Sequence, residues 1–491
     1  MKHYDLCIIG AGPSGFASAM RAIDFNKKIC LIERESVGGA GIFNGALSSK
    51  TMWELSQNYQ MMKSSKYGYY VYDSHLSFSA VVHETHKAVN EKFQQLKSQI
   101  DFYVKSGQLD FIRGSASMQS TTEIFVEREN DDDLMVSADH TILAIGSRPR
   151  YLPNIPIDEK IIYTSDGILS MEHYPESIVI LGAGVIGCEF ATIFSNFGKT
   201  KVYLIDKAPR ILPFEDPDIS DMVATNLVAN GVHIHKGASL SEMTIDNGKV
   251  KYTLEFDDGT KEIRYVEKAL VSVGRVPNSE NIGLDKIGLK LNNRGYCEDE
   301  DTQTSIPNIY AIGDFTADIA LVNIAELEGR HAVERIFGNA PKPLNYDNIS
   351  TIMFLNPEVA SVGMNETQAK KAGIPYRVSK MSFDYMNRAI AMRQKQGFIK
   401  LIVSDDDEMT LLGMRVLGAH ASSTIEAIAL LISMKKSVRV LAELIHAHPS
   451  IPEGIQECAR MLLGNSITKP EVFSQGLTCY SVKTDGTIKN L

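Results

Sequence analysis

The chain has 491 residues, 44% of them hydrophobic and 22% charged, with a net charge of −10 and an isoelectric point near 5.7. That length exceeds one small core and predicts roughly two to four domains of ordinary globular composition. The acidic balance excludes a general nucleic-acid or anionic-membrane binder, which would be basic, and no run of about 18 uncharged apolar residues is present to span a bilayer.

The first residues, MKHYDLCIIGAG, enter a strand over 4–9 almost at once, which leaves no room for a signal or transit peptide and points to the cytoplasm. The strand runs into Gly10-Ala11-Gly12-Pro13-Ser14-Gly15, then an apolar helix, then a second strand over 28–32 that ends at Glu33. Gly10 makes the tight turn, Gly12 lets the backbone approach a pyrophosphate, and Gly15 lets helix and strand pack closely. The helix N-terminus presents N–H groups and the positive end of its dipole to the phosphates. Glu33 is placed to bind ribose hydroxyls.

Residues 38–50 read GGAGIFNGALSSK, a small-residue segment that leads into a helix and holds no cysteine. Asp131-Asp132-Asp133 and, later, Asp405-Asp406-Asp407 read as solvated hairpin loops, because neither has the spaced ligands and glycine of a calcium loop. Residues 141–147, TILAIGS, form a strand ending in a small-residue turn at Gly146.

Residues 177–207 repeat the first unit: strand 178–181, Gly182-x-Gly184-x-x-Gly187, helix, strand 201–205, then Asp206. One GxGxxG is a weak signal. Two copies with the same strand–helix–strand–acid spacing are a strong one and imply two dinucleotides, a flavin and a nicotinamide. Asp206 favours NAD(H), since a carboxylate binds a 2′-hydroxyl and repels a 2′-phosphate; Lys207 and Arg210 relieve that repulsion only in part.

Residues 271–278, VSVGRVPN with Gly274, and 309–314, IYAIGD ending in Gly313-Asp314, are further strand-to-turn segments. The Asp314 carboxylate can accept a hydrogen bond from a ribityl hydroxyl. Beyond residue 346, EVASVGM, QGFIKLIVS and LLGMRVLG are strand-like, while 422–435 and 453–463 are helix-like. Six cysteines (Cys7, Cys30, Cys188, Cys297, Cys458, Cys479) are scattered without short spacings, which suggests a reducing compartment and no zinc-type cluster. Cys7, Cys30 and Cys188 read as buried small apolar residues.

The two glycine motifs, AIGSRP, SVGRVPN, YAIGD and the C-terminal HAHPSIPE of residues 446–453 carry a resemblance over roughly residues 3–465. The chain resembles the two-dinucleotide flavoprotein disulfide reductases, and is most similar to dihydrolipoamide dehydrogenases and soluble pyridine nucleotide transhydrogenases. The fold this implies is α/β, with two Rossmann-like dinucleotide-binding domains, for FAD and NAD, and a C-terminal α+β dimerisation domain. Residues 1–150 and 276–345 would form the FAD-binding part, 151–275 the NAD-binding domain, 346–465 the interface domain and 466–491 an extension with an incidental Cys479. A homodimer is implied, the C-terminal domain of one subunit completing the active site of the other.

The resemblance also assigns residues. It places Gly39, Lys50, Gly114, Ala116, Gly146, Gly274, Gly313, Asp314 and Leu321 at the cofactors, beside the residues of the two glycine motifs. Lys50 matches the family lysine near flavin N5, and Glu189 the acid that pairs with it. His448 would be the acid–base residue and Glu453 its orienting carboxylate. Asn323 stands in place of a histidine that faces the flavin in many relatives. Residues 38–50 match the family segment GG-T-C-x-N-x-G-C-x-P-S-K at Gly38, Gly39, Gly45, Ser49 and Lys50, with Gly41 and Ala46 at the two cysteines, Phe43 at the asparagine and Ser48 at the proline. Neither glycine nor alanine can act as a nucleophile or carry electrons, so dithiol–disulfide exchange is not expected there.

The implied activity is oxidation of NADH by FAD, with electrons passed directly to a non-disulfide acceptor: a quinone, a second nicotinamide nucleotide, oxygen or a redox protein. The alternatives are dihydrolipoyl dehydrogenase itself, a soluble transhydrogenase, and a non-catalytic flavoprotein subunit or NADH sensor.

Overall fold

The computed structural model describes residues 1–64, 68, 70–235, 237–316, 319–339 and 341–491. Two sheets share one parallel plan, to which the first adds Glu123–Glu127 and Ser115–Met118 as antiparallel strands. In the first, Leu109–Arg113, Ile29–Glu33, Lys2–Ile9 and Leu134–Leu143 lie side by side, and Ile309–Ala311 also pairs with Leu134–Leu143. The runs Leu6–Ile9 and Ile29–Ile32 are apolar at every position and buried throughout, as strands covered on both faces require. Ile9 lies opposite both Ile32 and Leu143, and Leu143 opposite Ala311. Residues 10–15, 144–147 and 312–314 therefore converge at one edge, the carboxyl end of a parallel sheet, where such folds bind ligands.

The second sheet has the order His233–His235, Lys201–Ile205, Ser177–Leu181, Lys268–Val271, Ile162–Thr164, all parallel. Leu181 lies opposite Ile205 and Val271, which brings residues 182–187, 206 and 272–274 to the same kind of edge. The chain passes between the two units twice, and the two passages, Ser147–Pro149 and Arg275–Pro277, pair as an antiparallel ribbon.

The third layer is an antiparallel sheet in the order Ser350–Met353, Val359–Gly363, Leu411–Leu417, Phe398–Ser404, Tyr376–Ser382, Leu477–Val482, Ile488–Asn490. Its last two strands come from the C-terminal extension, which is thus part of the sheet. The helix expected over 422–435 is shorter. A 3₁₀ turn, Ala421–Thr424, precedes the α-helix Glu426–Ser433. Three consecutive hydroxyls account for the difference: Ser422 bonds Glu358, Ser423 the carbonyl of His420 and Thr424 that of Ala421, side-chain bonds that compete with helical ones.

One acidic run also differs from expectation. Both runs sit between paired strands, but the Asp405 carboxylate is only 4% exposed and takes Arg377 Nε and Lys483 Nζ, each at 2.6 Å. Burial raises its pKa, and the two cations outweigh burial and hold it below the ordinary range.

A larger cluster joins this sheet to the second unit. Lys400 is fully buried, its Nζ 2.7 Å from Asp216, 2.8 Å from Asp218 and 3.0 Å from Glu366. Asp216 begins the helix Pro217–Ala229 of the second unit. Tyr480, in the extension, donates its hydroxyl to the Glu366 carboxylate at 2.9 Å. Burial pulls the lysine down in pKa, but Asp218, Glu366 and Asp216 together hold it above its ordinary value. Lys400→Met leaves three carboxylates without their common cation and should cost about 3–5 kcal/mol, read as a fall in the denaturant midpoint. Because the folded pKa is raised, the wild-type advantage should persist through neutral pH and fade only above about pH 10.4, the unfolded lysine value.

Candidate functional site

The two glycine motifs agree atom by atom. Gly10 has φ 102° and a Cβ there would lie 2.3 Å from the carbonyl oxygen of Ala144; Gly182 has φ 101° and its Cβ would lie 2.4 Å from that of Ser272. At Gly15 and Gly187 a Cβ would fall 1.9 Å from the carbonyl oxygen of the first glycine of the motif. At Gly12 and Gly184 it would meet nothing within 4 Å. The first and third glycines are thus fixed by packing, while the second leaves an open cradle. Both cradles lie at helix N-termini, those of Pro13–Ile23 and Val185–Phe197, and neither helix has a side-chain cap. Their first N–H groups are the donors that a phosphate requires.

The acids repeat as well. Glu33 accepts the N–H of Ala11 at 2.6 Å and that of Glu35 at 2.8 Å. Asp206 accepts the N–H of Ala183 at 2.6 Å and that of Ala208 at 2.7 Å. These bonds fix each carboxylate beside its loop, and each oxygen retains a lone pair for a ribose hydroxyl. The donors, cradles and acids fit two dinucleotides.

The other assigned positions fall around these loops or behind them. Gly38 donates its N–H to the Ala11 carbonyl at 2.7 Å, and a Cβ on Gly39 would lie 3.3 Å from Gly12 Cα, so residues 38–39 rest on the first loop. Gly114 donates its N–H to the Glu33 carbonyl at 2.9 Å. The methyl of Ala116 lies in the core with Tyr4 and Ile32. Gly146 and Gly274, with φ 63° and 99°, turn the chain at the two strand ends. Gly313, with φ 66°, sits against Ser14. Leu321 starts the helix Val322–Phe337, and Asn323 is exposed in its first turn. Asp314 accepts the Ser147 hydroxyl at 2.6 Å, and Arg275, 4.0 Å away, also binds Ser147. These three residues line a cavity of about 130 Å³ with Arg294, Tyr296 and Thr316.

Residues 38–50 form a short helix, Gly39–Ile42, and the start of a long one, Ala46–Lys63. A Cβ on Gly41 would lie 2.6 Å from Pro13 Cγ. Lys50 Nζ stands 2.7 Å from Glu189 Oε2, and Glu189 is nearly buried. Phe354 was not singled out by sequence, yet it completes this pair: its N–H donates to Glu189 Oε1 at 3.0 Å, and its ring centroid lies 5.0 Å from Lys50 Nζ. The only signal was its place a few residues before EVASVGM.

At the other end of the chain His448 Nδ1 lies 2.8 Å from Glu453 Oε1, and the N–H of Ser450 donates to Glu453 Oε2 at 2.7 Å. Partial burial raises the Glu453 carboxyl, but these bonds and the charge of His448 hold it below its ordinary value. The pair is local, made within one turn-to-helix segment, and the His448 side chain is 63% exposed on this subunit.

Comparison with known proteins shows the family and the fold. Residues 4–329 match the family described as pyridine nucleotide-disulphide oxidoreductase, and residues 349–459 match its dimerisation domain. The chain is 33% identical over 471 residues to a dihydrolipoyl dehydrogenase of Chlamydia muridarum, covering 95% of this chain and 98% of that one. It is 33% identical over 462 residues to the dihydrolipoyl dehydrogenase of Geobacillus stearothermophilus, covering 94% and 96%. In fold it is similar to LpdA from Mycobacterium tuberculosis, with a TM-score of 0.85 at 23% identity over 94% of this chain and 100% of that one. The HOCl-induced flavoprotein disulfide reductase RclA from Escherichia coli, solved as a Cu(II) complex, gives 0.83 at 25% identity over the same shares. Among the described residues no helix is long and apolar enough to cross a membrane. The chain belongs to the pyridine nucleotide-disulphide oxidoreductase family.

Proposed function

We propose that this protein is an FAD-dependent NADH oxidoreductase that delivers electrons to an acceptor other than a disulfide. FAD and NAD(H) are the cofactors of the family. When bound, they supply hydride transfer from nicotinamide to flavin and release of the electron pair to the acceptor. The chain's own residues hold and tune them. Gly12 and Gly184, with the helix ends behind them, receive the two pyrophosphates; Glu33 and Asp206 receive the riboses. Lys50, oriented by Glu189, places a positive charge where the family lysine meets the flavin, and so favours negative charge developing there. Glu453 holds His448 through Nδ1, which leaves Nε2 to hold or give a proton. The exposure of His448 on its own subunit suits a homodimer in which it serves the partner subunit's site.

The observation that carries this reading is the placement of sulfur. A dithiol relay needs two thiols at one site, and residues 38–50 contain none. All six cysteines are free and buried elsewhere. Cys188, next to Glu189, directs Sγ to the carbonyl of Ala183 at 3.4 Å, and burial pushes its thiol well up. Burial likewise pushes Cys297 up to about 12 and Cys479 up to about 11. Burial of this kind disfavours the thiolate, which is the form that exchanges with a disulfide.

Anaerobic NADH should bleach the flavin of the loaded protein, a quinone should restore its absorbance and lipoamide should not. Reoxidation by lipoamide would overturn the proposal; reoxidation by thio-NAD in place of quinone would make the protein a transhydrogenase. NADPH should reduce the flavin with kcat/KM at least about tenfold below that of NADH, a difference of about 1.4 kcal/mol, and Asp206→Ser should narrow the gap by removing the charge that repels a 2′-phosphate.

A further inference from the structure

We infer that Phe354, carried by the dimerisation domain, is a positioning residue for Lys50, so that a segment outside both glycine motifs sets the charge beside the flavin. The inference rests on the reading of Lys50 given above.

Residues 354–356 run along two helices at once. Lys50, Trp53 and Gln57 are spaced i, i+3, i+7 on Ala46–Lys63 and so share one face; Glu189 and Asn196 share a face of Val185–Phe197 by the same spacing. Each residue of the segment has its own anchor. The Phe354 N–H donates to Glu189 and its ring meets Trp53 edge-on, with centroids 5.2 Å apart. The Leu355 carbonyl accepts Trp53 Nε1 at 3.1 Å and Gln57 Nε2 at 3.2 Å. Asn356 Nδ2 donates to Asn196 Oδ1 at 3.3 Å.

The consequence falls on the lysine. Its ammonium has a carboxylate on one side and the Phe354 ring on another, an arrangement in which the ring quadrupole attracts the cation. The carboxylate is itself held by the Phe354 backbone through its second oxygen, so it cannot rotate without losing a bond made in a nearly buried place. Lys50 alone is a flexible four-carbon stem with many rotamers. Ring and amide together select one of them, and both belong to Phe354.

The test is the midpoint potential of the bound flavin, read with a redox dye. A cation near the flavin favours its reduced form, so Lys50→Met should lower the potential. Phe354→Leu keeps an apolar side chain and the backbone N–H but removes the ring, and should lower the potential in the same direction. The expected shift is about tenfold in the reduction equilibrium, which is about 30 mV for a two-electron couple. Phe354→Tyr, which keeps the ring, should match wild type. Added to Lys50→Met, Phe354→Leu should change the potential no further, as expected for two residues acting through one charge. A normal potential in Phe354→Leu, or a shift that survives in the double variant, would overturn the inference while leaving the Lys50 reading intact. A normal potential in Lys50→Met would remove that reading and this inference together. Sedimentation of each variant reports whether the assembly is retained, and Phe354→Met replaces Phe354→Leu if the latter does not assemble.

Discussion

A nearly buried carboxylate must have its oxygens satisfied, and at Glu189 that requirement draws together three parts of the chain. One oxygen takes Lys50 from the helix Ala46–Lys63; the other takes a backbone N–H from the connection between the first two strands of the C-terminal sheet. Glu189 itself stands two residues after the third glycine of the second motif, on the helix whose N-terminus faces the second cradle. Each unit has its own core, and a further apolar cluster spans all three, bringing together Trp53, Phe194, Leu355 and Leu417. Charged contacts cross the same boundaries and add direction: this pair, the Lys400 cluster, and Arg415 with its Nε 3.0 Å from Glu215, both nearly buried. Such contacts contribute orientation more than net stability, since the desolvation of each charge offsets much of the attraction.

The dinucleotide loops illustrate the opposite kind of constraint. There the geometry depends on the absence of side chains. The first and third glycines are pressed against carbonyl oxygens, and the second faces open space. The same three roles appear in both units with nearly the same φ and the same clash distances, although the intervening residues differ: Ala-x-Pro-Ser in the first and Ala-x-Val-Ile in the second. Backbone requirements, not side-chain identity, carry the repeat.

Those requirements are what made much of the fold legible in the sequence. Glycine spacing, continuous apolar strands and a terminal acid are local signals, and the structure forms both units where they indicate. The Lys50–Glu189 and His448–Glu453 pairs were legible through resemblance alone, since nothing in the spacing of residues 50 and 189 announces a contact. Phe354 was not legible, because its contribution comes from a backbone N–H and from the direction of a ring, neither of which has a pattern. Asp405 was misread because its neighbours in the run are exposed while its cations, Arg377 and Lys483, come from other strands. The short helix after residue 420 departed from its pattern because hydroxyl side chains bonded locally, an effect that periodicity does not register.

The C-terminal strand has a bearing on the order in which the molecule is made. Leu477–Val482 pairs with Tyr376–Ser382, Val482 lying opposite Tyr376, across about a hundred residues of intervening chain. Domains generally form from the N-terminus as synthesis proceeds, and pairings distant in sequence close late. Both dinucleotide units can be complete while the ribosome is still adding residues. The third sheet closes later, because Leu477–Val482 follows in sequence every strand it must join, and Tyr480 reaches Glu366 only with it. The third sheet is therefore the part of the molecule whose closure waits on chain made well after both dinucleotide units.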